Sequence, residues 1–275
     1  MPLVSTHWTE KNLNKIKIID CSWHLPNKNR NGYEEYLEDH IENAIFFDLD
    51  KNSDQKTDLP HMLTNKINWE KIVSKMGINN DDNIVIYDNS DVLSACRCWY
   101  NFIYFGHDPK LVNILDGGLK KWVKKWVKEG KVTTDKISYN NFSSYIAKEN
   151  KELVKNRIQI DQNIIDRNFF VIDARSRDRF EGKVSEPRKG LKSGSIPHSF
   201  CLPFNKLINT DHSFKDKKKI EEIFKKTLGD NLSSNVVFSC GSGVTASVLA
   251  LAYSLINNKY MPIIYDGSWA EYGRI

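Results

Sequence analysis

Short apolar runs alternate along the chain with amphipathic or charged stretches of helical length. The runs Ile16–Ile19, Ile45–Phe47, Ile84–Tyr87, Val112–Leu115, Phe169–Ile172, Ser199–Leu202, Val236–Ser239 and Pro262–Tyr265 predict strands. Several are apolar at nearly every position, the pattern of a strand covered on both faces. Helices are predicted over Trp69–Met76, Ala95–Phe105, Lys120–Lys128, Ile220–Leu228 and Thr245–Asn257. Alternating strands and helices imply α/β units built on mainly parallel sheets flanked by helices.

The pattern also repeats. Ile18–Trp23 (IIDCSW) pairs with Val171–Ser176 (VIDARS), and His40–Asp50 with Ser195–Asn205. Ile84–Asp88 pairs with Val236–Cys240, and Leu115–Trp122 (LDGGLKKW) with Tyr265–Tyr272 (YDGSWAEY). The four matches keep their order at offsets of 150–155 residues. That period is too long for a solenoid and points to a duplicated domain. The polar stretch Thr133–Asn156 falls between the copies, so the expected layout is a first domain over 1–135, a linker over 136–156 and a second domain over 157–275.

Composition narrows the function. The 275 residues carry 40 Lys+Arg against 35 Asp+Glu, a net charge of +5 spread along the chain. This is too diffuse for a nucleic-acid interface. The most apolar stretch, Ala246–Ile256, is interrupted by Ser and Tyr and falls short of the roughly 18 apolar residues a membrane helix needs. The opening MPLVSTHWTEKNLNK lacks a basic start followed by an apolar core, so no secretory signal is expected. Five cysteines, an odd count in so long a chain, fit free thiols in a reducing cytosol. The Lys- and Asn-rich composition suits a bacterial cytoplasmic protein.

Cys240 stands apart from the other thiols. It follows the apolar run Val236–Ser239 and precedes Gly241-Ser242-Gly243-Val244-Thr245 and an Ala/Leu-rich helix. Glycines at 241 and 243 let the backbone curl and turn N–H groups inward, and the helix start adds a positive end. A cysteine in such a cradle is expected to react as a thiolate nucleophile. The same loop could bind a phosphate, but no Arg follows Cys240 before the helix ends, and a Cys phosphatase needs one to grip phosphoryl oxygens. Cys21 and Cys201 sit in strand contexts and are expected in the core, and Cys96 and Cys98 form a C-x-C without a second ligand pair at zinc spacing. No metal or organic cofactor is expected.

The loop Cys240–Thr245 resembles the active-site loop of the 3-mercaptopyruvate sulfurtransferases of the rhodanese superfamily. The resemblance extends through Ser22–Trp23, Phe46–Asp50 (FFDLD), His61–Leu63 (HML), Leu115–Trp122, Asp173–Pro197 and Tyr265–Gly273. It implies two tandem rhodanese-like domains, the first without a nucleophile because Asp88 stands where the second has Cys240. It further implies that Arg179 and Arg188 hold the donor's carboxylate and carbonyl. A guanidinium fork matches a carboxylate bidentately. Gly241, Gly243, Val244 and Thr245 would supply the loop's backbone cradle. Ser242, His61 and Asp50 would handle protons, with Asp50 and His61 lent by the first domain.

The resemblance therefore implies transfer of sulfur from 3-mercaptopyruvate, through a Cys240 persulfide, to a thiol acceptor such as thioredoxin or to cyanide. Thiosulfate is the nearest alternative donor. Thiosulfate-preferring relatives carry basic residues beside the cysteine, where this chain has Gly241 and Ser242, and lack the second arginine. A non-catalytic rhodanese-like binding module is the alternative from another class, and the retained Cys240 loop argues against it.

Overall fold

A computed structural model describes residues 2–126, 132–135, 142–229, 232, 235–257 and 259–275. The chain divides into two compact units. The first comprises Met1–Gln55, Leu63–Asn150 and Thr210–Ser213, and the second Lys56–Met62, Lys151–Asn209 and Phe214–Ile275.

The described strands are β1 (Leu3–Val4), β2 (Lys17–Asp20), β3 (His40–Ile41), β4 (Ala44–Phe46), β5 (Ile84–Tyr87), β6 (Val112–Leu115), β7 (Val132–Thr133), β8 (Val154–Lys155), β9 (Phe170–Asp173), β10 (Phe200–Cys201), β11 (Val236–Ser239) and β12 (Ile263–Tyr265). In the first unit the sheet runs β4-β2-β5-β6-β1, and in the second β10-β9-β11-β12-β8. Every neighbouring pair in both sheets is parallel. The two orders correspond strand for strand, so the repeat read along the chain is also a repeat of topology. Strands β3 and β7 form a separate antiparallel pair.

Each predicted strand is present within a residue or two of its expected limits. The edge strands β1 and β8 and the pair β3–β7 were not predicted. Each is two residues long, too short to show a period of two. Helices Lys66–Lys75 and Lys217–Leu228 begin three residues ahead of the predicted starts. Their first turns are polar and are held by caps: Asn65 accepts from the Asn68 N–H (3.0 Å) and Asp216 from the Lys219 N–H (2.9 Å). Helix Gly118–Trp126 covers most of predicted Lys120–Lys128, whose last two positions lie outside the described residues. Of the expected linker, 136–141 also lie outside them. Residues 142–150 are tied to the first unit, with the N–H groups of Ser143, Lys148 and Asn150 donating to the carbonyls of Ser74, Phe105 and Tyr104.

Each unit has its own core. In the first, Ile18, Tyr36, Val85, Tyr87, Leu115 and Trp122 pack together, and Trp69 stacks on Phe105 at 4.6 Å. In the second, Ile160, Val171, Ile196, Val237, Tyr265 and Trp269 do the same. Helix Ala95–Tyr104 is buried on every face, Cys96 and Cys98 included. No helix among the described residues is long and apolar enough to cross a membrane.

Two carboxyls are buried in the first unit where its parallel strands end. Burial pushes Asp20 up to about 7 and Asp88 up to about 6, and each raises the other or is raised by a neighbouring acid. The folded state therefore keeps protons that the unfolded chain, at the ordinary value of 3.8, has released. Their stabilising effect is full below about pH 4 and is lost as pH rises through about 6 and 7. Carboxyls held low, such as Asp211 at about 2 beside Ser213 and Lys121, act with the opposite sign. The informative quantity is therefore the difference between wild type and Asp20→Asn in urea midpoint. The variant is expected to gain on wild type from pH 4 to pH 8, and parallel profiles would clear Asp20 of the effect.

Candidate active site

The site is assembled at the carboxyl ends of β9 and β11 in the second unit, where loops leave a parallel sheet and functional groups gather. Strand β11 is buried at all four positions and delivers Cys240, itself buried, to its end. Gly243 then turns at φ +79°, a left-handed conformation costly to a residue with a Cβ, and helix Val244–Ile256 begins. That helix buries ten of its thirteen residues, which fixes the loop at its far end.

The second motif, after β9, brings two arginines over this loop. A Cβ built on Gly241 would lie 3.3 Å from Arg179 Nη2 and 3.7 Å from Arg188 Nη1. Arg188 Nη2 also donates to Ser242 Oγ at 3.4 Å. His61, buried and at φ +60°, lies in the segment Lys56–Met62 that belongs with the second unit. Its Nδ1 is 2.9 Å from Ser242 Oγ. Cys240, Gly241, Ser242, His61, Arg179 and Arg188 are thus collected in one place within that unit. Val244 and Thr245 form the first turn of the helix behind it. Asp50 belongs to the first unit, where the Trp23 indole N–H donates to its carboxylate at 2.9 Å.

Three residues that sequence reasoning did not single out build the site's frame. Glu186 is almost wholly buried and receives Arg179 through Nε (3.1 Å) and Nη2 (2.5 Å) and Arg175 through Nη1 (2.8 Å). Arg175, fully buried, also chelates Asp173 and donates to the Gly194 carbonyl (2.8 Å). Ser268 Oγ accepts from the N–H groups of both Cys240 and Gly243, each at 3.2 Å, so the Gly243 N–H expected in the sulfur's cradle is turned to Ser268 instead. One signal for Ser268 was available. It occupies the place of Gly118 when DGS at 266–268 is laid on DGG at 116–118. Nothing in the spacing of Glu186 distinguished it from a solvated acid.

Three of the other thiols are held in their protonated form. Burial pushes Cys21 and Cys96 well above the ordinary thiol range and Cys201 up to about 11. The arrangement offers a buried sulfur on a Gly-rich loop, two guanidinium groups beside it, and a hydroxyl–imidazole pair to carry a proton.

The rhodanese-like domain profile matches residues 5–125 and 151–274. The chain is 37% identical over 290 residues to the mitochondrial thiosulfate/3-mercaptopyruvate sulfurtransferase 1 of Arabidopsis thaliana, covering 98% of this chain and 76% of that protein. It is 35% identical to the 3-mercaptopyruvate sulfurtransferase of Mus musculus, covering 98% and 91%. Its structure superposes on SseA of Escherichia coli, a 3-mercaptopyruvate sulfotransferase, with a TM-score of 0.84 at 29% identity, covering 98% and 99%.

Removing one member of a buried ion-pair network strands the others. Glu186→Ala should therefore cost about 3–5 kcal/mol, read by chemical denaturation. A loss under about 1 kcal/mol, typical of exposed pairs, would mean that Arg175 and Arg179 do not depend on this carboxylate.

Proposed function

Because the chain belongs to the rhodanese-like domain family, we propose that it transfers sulfur from 3-mercaptopyruvate to a thiol acceptor or cyanide through a persulfide on Cys240, releasing pyruvate. The observation that carries this reading is the pair of guanidinium groups poised over Gly241, one residue from the nucleophile. A 2-oxo acid presents a carboxylate and an adjacent carbonyl, and two forks of planar donors match that pair.

In this mechanism the Cys240 thiolate attacks the donor sulfur, and the carbon–sulfur bond breaks. Its electrons pass into the enolate of pyruvate, where Arg179 and Arg188 offset the developing charge. The proton of the transferred S–H is taken by the Ser242–His61 pair, whose atoms are 2.9 Å apart. It is returned to the enolate carbon. Imidazole suits this two-way role because its ordinary pKa lies near neutrality. An acceptor thiolate then attacks the outer sulfur of the persulfide and regenerates Cys240. A dithiol acceptor such as thioredoxin resolves its own persulfide, leaving as a disulfide and releasing sulfide. The covalent intermediate makes the kinetics ping-pong. Asp50 is retained as a partner of this proton pair on the family resemblance alone. A cytoplasmic location is part of the same reading, since a persulfide cycle on free thiols needs a reducing compartment.

Thiosulfate is the second reading, favoured by the Arabidopsis relative whose name carries both donors. Parallel assays with 3-mercaptopyruvate plus dithiol and thiosulfate plus cyanide separate the two. Higher kcat/KM with 3-mercaptopyruvate is expected, and the reverse would overturn the donor assignment while keeping the nucleophile.

Cys240→Ser should abolish turnover with both donors, and mass spectrometry of donor-treated wild type should find one added sulfur on the Cys240 peptide. Pyruvate release by the variant would sink the mechanism. A charge-assisted hydrogen bond contributes about 1.5–3 kcal/mol. Arg188→Gly should therefore raise KM for 3-mercaptopyruvate about ten- to a hundredfold while changing KM for thiosulfate less. Equal effects on both donors would remove Arg188 as the carboxylate's partner.

A further inference from the structure

The turn that follows β12 holds the backbone of the Cys240 loop on both of its polar sides. The Trp269 and Ala270 N–H groups donate to the carbonyls of Cys240 and Gly241, each at 2.9 Å. Ser268 Oγ takes the N–H groups of Cys240 and Gly243 and donates its own hydrogen to the Tyr265 carbonyl at 2.8 Å. Its one donor and two acceptor positions are then all used. Ser268 achieves this fully buried and at φ +48°, a conformation that a non-glycine residue holds only when its surroundings enforce it.

The first unit has the same turn without the hydroxyl. There the Leu119 N–H donates to the Asp88 carbonyl at 2.9 Å, matching Trp269 and Cys240. The residue before it is Gly118, at φ +58°. A Cβ on Gly118 would sit 2.4 Å from the Asp88 oxygen. The serine is thus confined to the copy that carries the cysteine, at a position where glycine is conformationally easier.

We propose that Ser268 is a positioning residue for the Cys240 nucleophile. Its hydroxyl engages two of the loop's N–H groups and holds the curl in which those of Gly241, Ser242, Val244 and Thr245 serve the sulfur anion. These four N–H groups have no hydrogen-bond partner among the described residues. The proposal rests on Cys240 being the nucleophile of the reading above, but not on the identity of its donor.

The test pairs Ser268→Gly with Ser268→Ala and reads Cys240 alkylation by iodoacetamide near neutral pH, by peptide mass spectrometry, alongside kcat and KM. Glycine accepts the left-handed backbone, so Ser268→Gly is expected to fold with near-native near-UV circular dichroism. Misplacement of a reacting group by about 1 Å can cost about a hundredfold. The alkylation rate and kcat of Ser268→Gly should therefore fall about ten- to a hundredfold, with KM nearly unchanged because Arg179 and Arg188 are untouched. Ser268→Ala should show the same losses and a lower melting temperature. A purely structural role predicts the opposite alkylation result, since a loosened loop exposes the thiol. Alkylation of folded Ser268→Gly at or above the wild-type rate overturns the proposal, as does failure of both variants to fold. If wild type lacks sulfurtransferase activity while Ser268→Gly still alkylates slowly, the donor reading fails and the positioning role stands.

Discussion

One buried carboxylate organises the second unit's site. Glu186 lies between Arg175 and Arg179 and binds both. A lone charge in that place would be strongly disfavoured, so the network is tenable only when every member is paired. Arg175 also donates to Asp173 and Gly194 and lies over the Trp269 ring at 4.3 Å. The Trp269 backbone N–H in turn holds the Cys240 carbonyl. A continuous chain of contacts thus runs from the arginine above the loop, through the buried acid, to the backbone of Cys240. Arg179 is left with a defined direction, and the cost of ordering its long side chain is met before any ligand arrives.

The duplicated units show how few changes separate a strand end that carries a cysteine from one that carries a buried acid. Asp20 and Asp173 occupy equivalent positions and make the same turn, accepting from the N–H two residues on at 2.8 and 2.9 Å. In the second unit that next residue is Arg175, which pairs with the acid. In the first it is Ser22, and Asp20, with no cation on it among the described residues, is driven up to about 7 by burial. At the neighbouring strand end, Asp88 stands in for Cys240 and bonds the N–H groups of Ser90 and Ala95 with its own side chain. Its carboxylate therefore fills the role of an internal anion in the loop. The second unit's loop has Cys240 at that position and no such carboxylate.

Legibility followed interaction range. The apolar runs at Ile84–Tyr87, Val112–Leu115 and Val236–Ser239 coincide with β5, β6 and β11, because central parallel strands must be apolar on both faces. The two-residue strands β1, β3, β7 and β8 left no such mark, and the polar first turns of Lys66–Lys75 and Lys217–Leu228 depended on caps that periodicity does not weigh. Among the site residues, Cys240 was legible from its local frame, a strand, two glycines and a helix. Arg179 and Arg188 were found only through family resemblance.

Residues close in the chain were enough to read the alternation of elements, the duplication and the one cysteine set between an apolar strand, two glycines and a helix. These are statements about residues close in the chain, where backbone preference and burial act directly. Only the tertiary structure decided that Glu186 is a shared buried counter-ion, that His61 reaches Ser242 across 181 positions, and that Ser268 engages the Cys240 loop from 25 and 28 positions away. Each depends on hydrogen bonds between segments that folding brings together, and a carboxylate, an imidazole or a hydroxyl looks the same in a sequence whether it is solvated or fully engaged.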